Sequence, residues 1–206
     1  MAQLGTLDKN LPADSATDDR ATEVLLAAAD LIYRQGFDAT SMNEIAEAVK
    51  LTKAGLYYYT KGKGDLLYKI MNYAMERVER DIIVPCSAIV DAEERLTQII
   101  RKHVDAIIVT GGAITILTGE VDKLAESENR AILARKRLYL NLVRDTLAEL
   151  KKENRLRDLD IKIASLNMFS TILGVARWHS ASGRFSSKRI TDETLRFILS
   201  ALLNPD

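Results

Sequence analysis

Proline occurs at positions 12, 85 and 205 and nowhere else in the 206 residues. Between those points no residue forbids a helix by fixing φ and removing a backbone donor. Val and Ile do not run in the strict two-residue alternation that marks half-buried strands. Apolar residues recur instead at spacings of three and four, which gathers them on one helical face. Val24, Leu25, Ala28, Leu31 and Ile32 are the first such set. The pattern predicts an all-α protein of about nine helices.

Composition narrows the functional classes. The chain is 47% hydrophobic and 28% charged, and it is long enough to bury a sizeable core. Its formal net charge is zero, so any basic surface has to be local. A single cysteine, Cys86, cannot form an intrachain disulfide and fits a reducing, cytoplasmic setting. The start MAQLGTLDKNLPADSATDD lacks the basic and apolar regions of a signal peptide. No apolar run reaches the roughly 18 residues a membrane span needs. Residues 1–17 have no periodicity and read as a mobile tail.

Catalytic patterns are missing. Neither G-x-S-x-G, H-E-x-x-H nor C-x-x-C occurs, and Gly62-Lys63 lacks the flanking residues of a phosphate-binding loop. His103 and His179 are not at metal-ligand spacing, and Cys86 follows Pro85 in an expected loop with no base nearby. No catalytic set, metal site or cofactor is expected.

Two capped helices stand close together near the amino end. Ser41-Met42-Asn43-Glu44 has the form of a capping box, in which Ser41 and Glu44 satisfy each other's backbone donors. Thr52 is a second N-cap candidate, with Leu51 and Leu56 placed as a hydrophobic staple. A helix over 42–49 and another over 53–59 follow, joined by Lys50-Leu51-Thr52. A packing helix closed by Gly36 precedes them, which makes residues 41–60 a helix-turn-helix within a domain over 18–64.

In that geometry the second helix meets the major groove by its N-terminal end. Lys53, Ala54 and Gly55 stand there, two of them small enough for close approach. From Lys50 to Lys63 the chain carries Lys50, Lys53, Lys61 and Lys63 and no acid. Lysines on phosphates release counterions, and tyrosine hydroxyls bond phosphate oxygens. Successive helical residues lie about 100° apart, so Tyr57, Tyr58 and Tyr59 cannot share one role. Tyr57 is expected to pack partly inward, and Tyr58 and Tyr59 to face DNA.

The stretch VLLAAADLIYRQGFDATSMNEIAEAVKLTKAGLYYYTKGKGDLL, residues 24–67, resembles the tetracycline repressor (TetR) family of bacterial regulators. Ala27, Ala28, Gly36, Phe37, Thr40, Ser41, Ile45, Ala46, Thr52, Leu56, Tyr57, Lys63 and Leu66 match its pattern. The resemblance implies phosphate contacts from Thr40 and Lys63, and recognition by Thr52, Lys53, Ala54, Gly55, Tyr57, Tyr58 and Tyr59. Lys50 departs from the glycine usual in the turn; a left-handed lysine there costs roughly 1 kcal/mol. Tyr59-Thr60 replaces the common His-Phe, and Gly62 and Gly64 replace Ser and Glu.

Residues 65–206 are expected to form a helical effector-binding and dimerisation domain. A connecting helix over 65–84 should stop at Pro85, and Leu96, Ile99, His103 and Ile107 mark the next face. Helices are expected near 129–153, 158–180 and 191–203, the last capped by Thr191. The resemblance implies that the last two build a four-helix homodimer interface, with Met168, Ile172, Val175, Leu195, Ile198 and Leu202 as its apolar residues. Two recognition helices would then meet half-sites of a double-stranded operator about 34–36 Å apart.

A central pocket for a small-molecule effector is expected, with His103, Ile107, Thr110, Thr115, Thr118, Tyr139, Trp178 and His179 as candidates. His103 also suits a hydrogen-bonded core histidine, and Trp178 suits plain packing. GVARWHSASGRFSSKRIT, with RKRLYLNLVRDTL upstream, is similar to members that respond to acyl-CoA thioesters or fatty acids. Arg135, Arg137 or Arg177 would then meet ligand phosphates, unless they are solvated helix-face charges. The expected function is a ligand-responsive repressor. The alternatives are an architectural DNA binder without a ligand and a small helical enzyme.

Overall fold

A computed structural model describes residues 13–110, 112–180 and 182–205. Its described residues are helical throughout, apart from turns and one isolated bridge between Leu156 and Leu203. The order is α1 (Ala13–Gln35), α2 (Met42–Ala48), α3 (Lys53–Leu56), α4 (Lys63–Val78), a π-helical turn (Glu79–Ile83) and α5 (Val84–Ser87). Then follow α6 (Ala92–Thr110), α7 (Gly112–Gly119), a 3₁₀ turn (Val121–Lys123), α8 (Glu126–Lys152), α9 (Ile161–Trp178) and α10 (Ser187–Leu202). Helix α1 begins inside the stretch expected to be tail, so residues 13–17 are helical; residues 1–12 lie outside the described residues.

The first four helices close a small core. Val24, Ala28 and Ile32 of α1, one turn apart, meet Ile45 of α2, Leu56 of α3, and Leu66, Leu67 and Ile70 of α4. Gly36 ends α1 at φ 86°, a left-handed conformation that costs glycine little.

Pro85 does not stop the connecting helix. The backbone passes through the π-helical turn, where the Val84 N–H donates to the Glu79 carbonyl, and continues into α5. Pro85 sits in the first turn of α5, directly after the π-helical turn. The wider π register thus absorbs the proline. Cys86 is consequently buried in a helix and is not in a loop; burial raises its thiol pKa.

The carboxy-terminal start also differs from expectation. Ser186 caps α10 by accepting from the Arg189 N–H, and Thr191 lies inside the helix. Thr191 is buried and donates to Asp105 of α6 at 2.6 Å, a partner the local sequence does not reveal. Arg101 of α6 pairs with Asp192 at 2.9 Å beside it.

Helices α9 and α10 are apolar on two sides. Met168, Ile172, Val175, Leu195, Ile198 and Leu202, expected at a dimer interface, are all buried within the protomer. Their inward faces complete the core against α6 and α8. The outward faces carry Ile163, Leu166, Trp178 and Phe197, with Phe185 of the connecting loop beside the last two, all exposed. Periodicity marks a buried stripe and does not say which neighbour buries it.

Candidate nucleic-acid interface and effector region

The helix-turn-helix is held by short-range bonds that its own residues supply. Ser41 Oγ accepts from the Glu44 N–H at 3.2 Å, and the Glu44 carboxylate accepts from the Ser41 N–H at 2.7 Å. That capping box keeps the Glu44 carboxyl below its ordinary value. At the other end of α2 the Leu51 N–H reaches the Ala46 carbonyl and the Lys50 N–H reaches Glu47, with Lys50 at φ 55°. This is a Schellman turn with lysine in the position that favours glycine.

Thr52 then caps α3, its Oγ1 accepting from the Gly55 N–H at 3.0 Å. A Cβ on Gly55 would lie 3.3 Å from that same Oγ1, so a side chain there would press on the cap. The exposed N-terminal surface of α3 consists of Lys53 and Ala54, with Gly55 half-buried.

Of the three tyrosines, Tyr59 departs from the expectation of continuous helical geometry. Tyr57 is 47% exposed and Tyr58 78%, while Tyr59 packs against the core. The Tyr57 N–H still bonds back to the Lys53 carbonyl, but the Tyr58 and Tyr59 N–H groups reach Gly55 and Leu56, so the chain tightens into 3₁₀-type turns and the 100° step fails beyond Tyr57. Tyr58 meets the Tyr59 ring edge-on at 5.2 Å, and Lys69 donates to the Tyr59 carbonyl at 2.7 Å. Tyr57 and Tyr58 are therefore the outward phenols.

The loop into α4 is organised by Asp65, which the sequence did not single out. Asp65 accepts from the Thr60 hydroxyl at 2.9 Å and the Lys61 N–H at 2.8 Å, and pairs with Lys69 at 3.2 Å. Partial burial works against its charge, but these three donors hold its pKa below the ordinary value. A threonine with a carboxylate five residues later was the available signal. Thr60 is buried through these bonds, which makes good the absent aromatic ring.

Thr40 is not available to phosphate. It is 1% exposed, and its hydroxyl donates to the Gly36 carbonyl at 2.9 Å. Lys63 is half-buried, donating to the Asp38 carbonyl at 3.2 Å and lying 4.4 Å from the Phe37 ring centre. Ser41, Thr52, Lys50, Lys53 and Lys61 remain on the surface.

The effector-region candidates do not form one pocket. His103 and Tyr139 are buried together, the Tyr139 hydroxyl 3.0 Å from His103 Nδ1, with Phe169 edge-on to both rings. Ile107 is buried one turn beyond His103. Thr110 donates to the Ala106 carbonyl of its own helix at 2.7 Å. Thr115 lines a separate cleft of about 520 Å³ between α1, α7 and α9, with Tyr33, Gly36, Leu173 and Arg177. Trp178 and His179 border surface grooves beside Phe185. The Thr118 side chain lies outside the described residues.

Of the three arginines considered for ligand phosphate, Arg135 is engaged elsewhere. It clasps Glu79 at 2.7 and 2.8 Å and Asn72 at 2.6 Å, joining α8 to the connecting helix. Arg137 and Arg177 are exposed, and Arg177 lies at the interdomain cleft.

Comparison with known proteins follows the same division of the chain. Residues 24–70 match the profile of bacterial regulatory proteins of the tetR family, and residues 90–202 match the tetracyclin repressor-like C-terminal domain. The chain is 24% identical over 204 residues to the HTH-type transcriptional repressor KstR2 of Rhodococcus jostii (strain RHA1), covering 94% of this chain and 97% of that one. It superposes on AibR, solved in complex with isovaleryl coenzyme A and operator DNA, with TM-score 0.75 and 28% identity; the match covers 86% and 97% of the two chains. The ketosteroid regulator KstR2 of Mycobacterium tuberculosis shares the fold, with TM-score 0.81 at 20% identity over 90% and 96% of the chains. No helix among the described residues is long and apolar enough to cross a membrane. Matched in both of its domains, this chain belongs to the tetR family of bacterial regulatory proteins and is a helix-turn-helix transcriptional regulator, not an enzyme.

Proposed function

We propose that this regulator binds a palindromic operator in the cytoplasm as a homodimer, represses transcription there, and is released by a small apolar or amphipathic effector such as an acyl-CoA thioester or fatty acid. The observation that carries the reading is the doubly capped helix-turn-helix, which presents Lys53 and Ala54 at the exposed end of α3 with Tyr57, Tyr58 and Lys61 beside them. Lysine neutralises phosphate and the phenols fix register, while the small residues admit base edges.

A second copy is the occupant that suits the outer face of α9 and α10. Two apolar grooves of about 380 and 400 Å³ there share Thr171 and Phe197, so they form one continuous strip along both helices. Pairing through it would bury Ile163, Trp178 and Phe197 and join two DNA-binding heads. The effector reading is supported by AibR, which was solved with both isovaleryl coenzyme A and operator DNA. The interdomain cleft gives such a ligand leverage, because α1 forms one wall and α7 and α9 the others. Coupling is reciprocal: DNA weakens effector binding by the factor by which effector weakens DNA binding.

Operator affinity measured against salt tests the reading. Lys53→Ala should flatten the log–log slope by about one unit. Adding Lys63→Ala should remove up to about one more if the lysine leaves Asp38 for phosphate. An unchanged slope in Lys53→Ala would remove α3 from the interface.

A further inference from the structure

We infer that the buried His103–Tyr139 pair is the polar recognition point of the effector site, and that His103 Nε2–H donates to a neutral carbonyl oxygen carried on an otherwise apolar acyl group. The inference rests on the effector-responsive reading above and names what the site reads.

The observation behind it is an unmet hydrogen-bonding atom. His103 is buried, and its Nε2 has no partner among the described residues. Buried polar atoms are almost always paired, because leaving one unpaired forfeits its hydration without return. A purely structural site between Ile99, Ile107 and Phe169 would be better filled by an apolar ring of similar size.

The network fixes which proton the ring offers. The Tyr139 hydroxyl can donate to Nδ1, which leaves one unmet group, the Nε2–H. The reverse arrangement leaves two, the Tyr139 proton and the Nε2 lone pair, because no other partner of that hydroxyl is found among the described residues. The first is favoured, so Nε2 is a donor in search of an acceptor.

Charge then selects the acceptor. Burial holds His103 neutral, with its pKa drawn down from 6.5 to about 4, and holds Tyr139 protonated. A neutral donor among apolar walls suits the oxygen of a thioester, ester or ketone. An ionised carboxylate would lose its hydration there and meet no counter-charge.

One face of α9 runs from the pair to the interdomain cleft. Phe169, in edge contact with both rings, lies one turn before Leu173 on α9, so the two share a face. Leu173 lines the interdomain cleft, whose rim carries Arg177. An acyl chain entering at Leu173 would pass Phe169 and bring its carbonyl to His103, leaving a polar head at the cleft.

The two histidines of the chain make the test direct. Protein labelled with ¹⁵N-histidine is titrated with short- and medium-chain acyl-CoA thioesters, the matching free acids, and thioether analogues that lack the carbonyl. The thioesters should shift the His103 Nε2 resonance, and the free acids and thioethers should not. In operator-release assays His103→Phe should raise the thioester concentration for half-release about tenfold or more. His103→Gln, which keeps a donor, should recover most of that loss, and operator affinity without effector should stay unchanged in both. No shift with any thioester, or equal release by thioester and thioether, overturns the assignment. Failure of the unmodified protein to bind any operator, with the Nε2 shift still present, would sink the repressor reading alone.

Discussion

The backbone N–H of Phe37, just past the end of α1, donates to Glu120 Oε1 at 3.1 Å. Beside it Lys123 pairs with Asp38. These contacts tie the DNA-binding head to the far end of α7, and Glu120 itself borders the interdomain cleft. A ligand that widens the cleft must strain this tie. Glu120→Ala should therefore cost about 1 kcal/mol of stability and shrink the ratio of operator affinities without and with effector. Glu120→Gln keeps an acceptor and should preserve most of that ratio. Equal ratios in all three proteins would show that coupling runs elsewhere.

Lys50 holds a left-handed turn that glycine would hold more easily. Lys50→Gly should relieve about 1 kcal/mol, seen as a rise in Tm of about 2–4 °C for a chain of this size. The same change removes a surface cation next to α3, so the salt slope of operator binding should fall by at most about one unit. A Tm that stays level or drops would mean the turn carries no strain.

The two sides of α9 and α10 predict opposite outcomes for one kind of substitution. Phe197 is 65% exposed, and Phe197→Asp should give folded monomers by light scattering with weakened operator binding. Ile172 is 0% exposed, and Ile172→Asp should lower stability by several kcal/mol, because it buries an unpaired charge. Dimers of Phe197→Asp would move the interface to another face.

Acid should expose His103. Its folded pKa of about 4 lies below the ordinary 6.5, so the unfolded chain binds the proton first. Stability is complete above about pH 6.5 and falls as pH drops toward 4, by about 2 kcal/mol between 6.5 and 5. The group facing the imidazole is the Tyr139 hydroxyl, which stays protonated through this range. Asp65, Asp81 and Glu79 are held below their ordinary values of 3.8, 3.8 and 4.5, so their contributions fade only in stronger acid. Urea midpoints should fall between pH 6.5 and 5 in the natural chain, and that part of the fall should vanish in His103→Phe. Parallel profiles would place the acid sensitivity elsewhere.

What the sequence determined was local. Ser41, Glu44 and Thr52 find their partners three residues away, and Gly36 and Lys50 set the turns by their own backbone geometry. Such features need no knowledge of the rest of the chain, so the helix-turn-helix was legible residue by residue. Tertiary structure decided every question of facing. It turned Tyr59 inward where the end of α3 tightened, drew the Thr40 hydroxyl onto Gly36, and took Thr191 from a cap to Asp105. It also buried Ile172 inside the protomer and left Phe197 outside. A three-to-four spacing records that a stripe is covered, whereas the covering partner is set by packing between elements far apart in sequence.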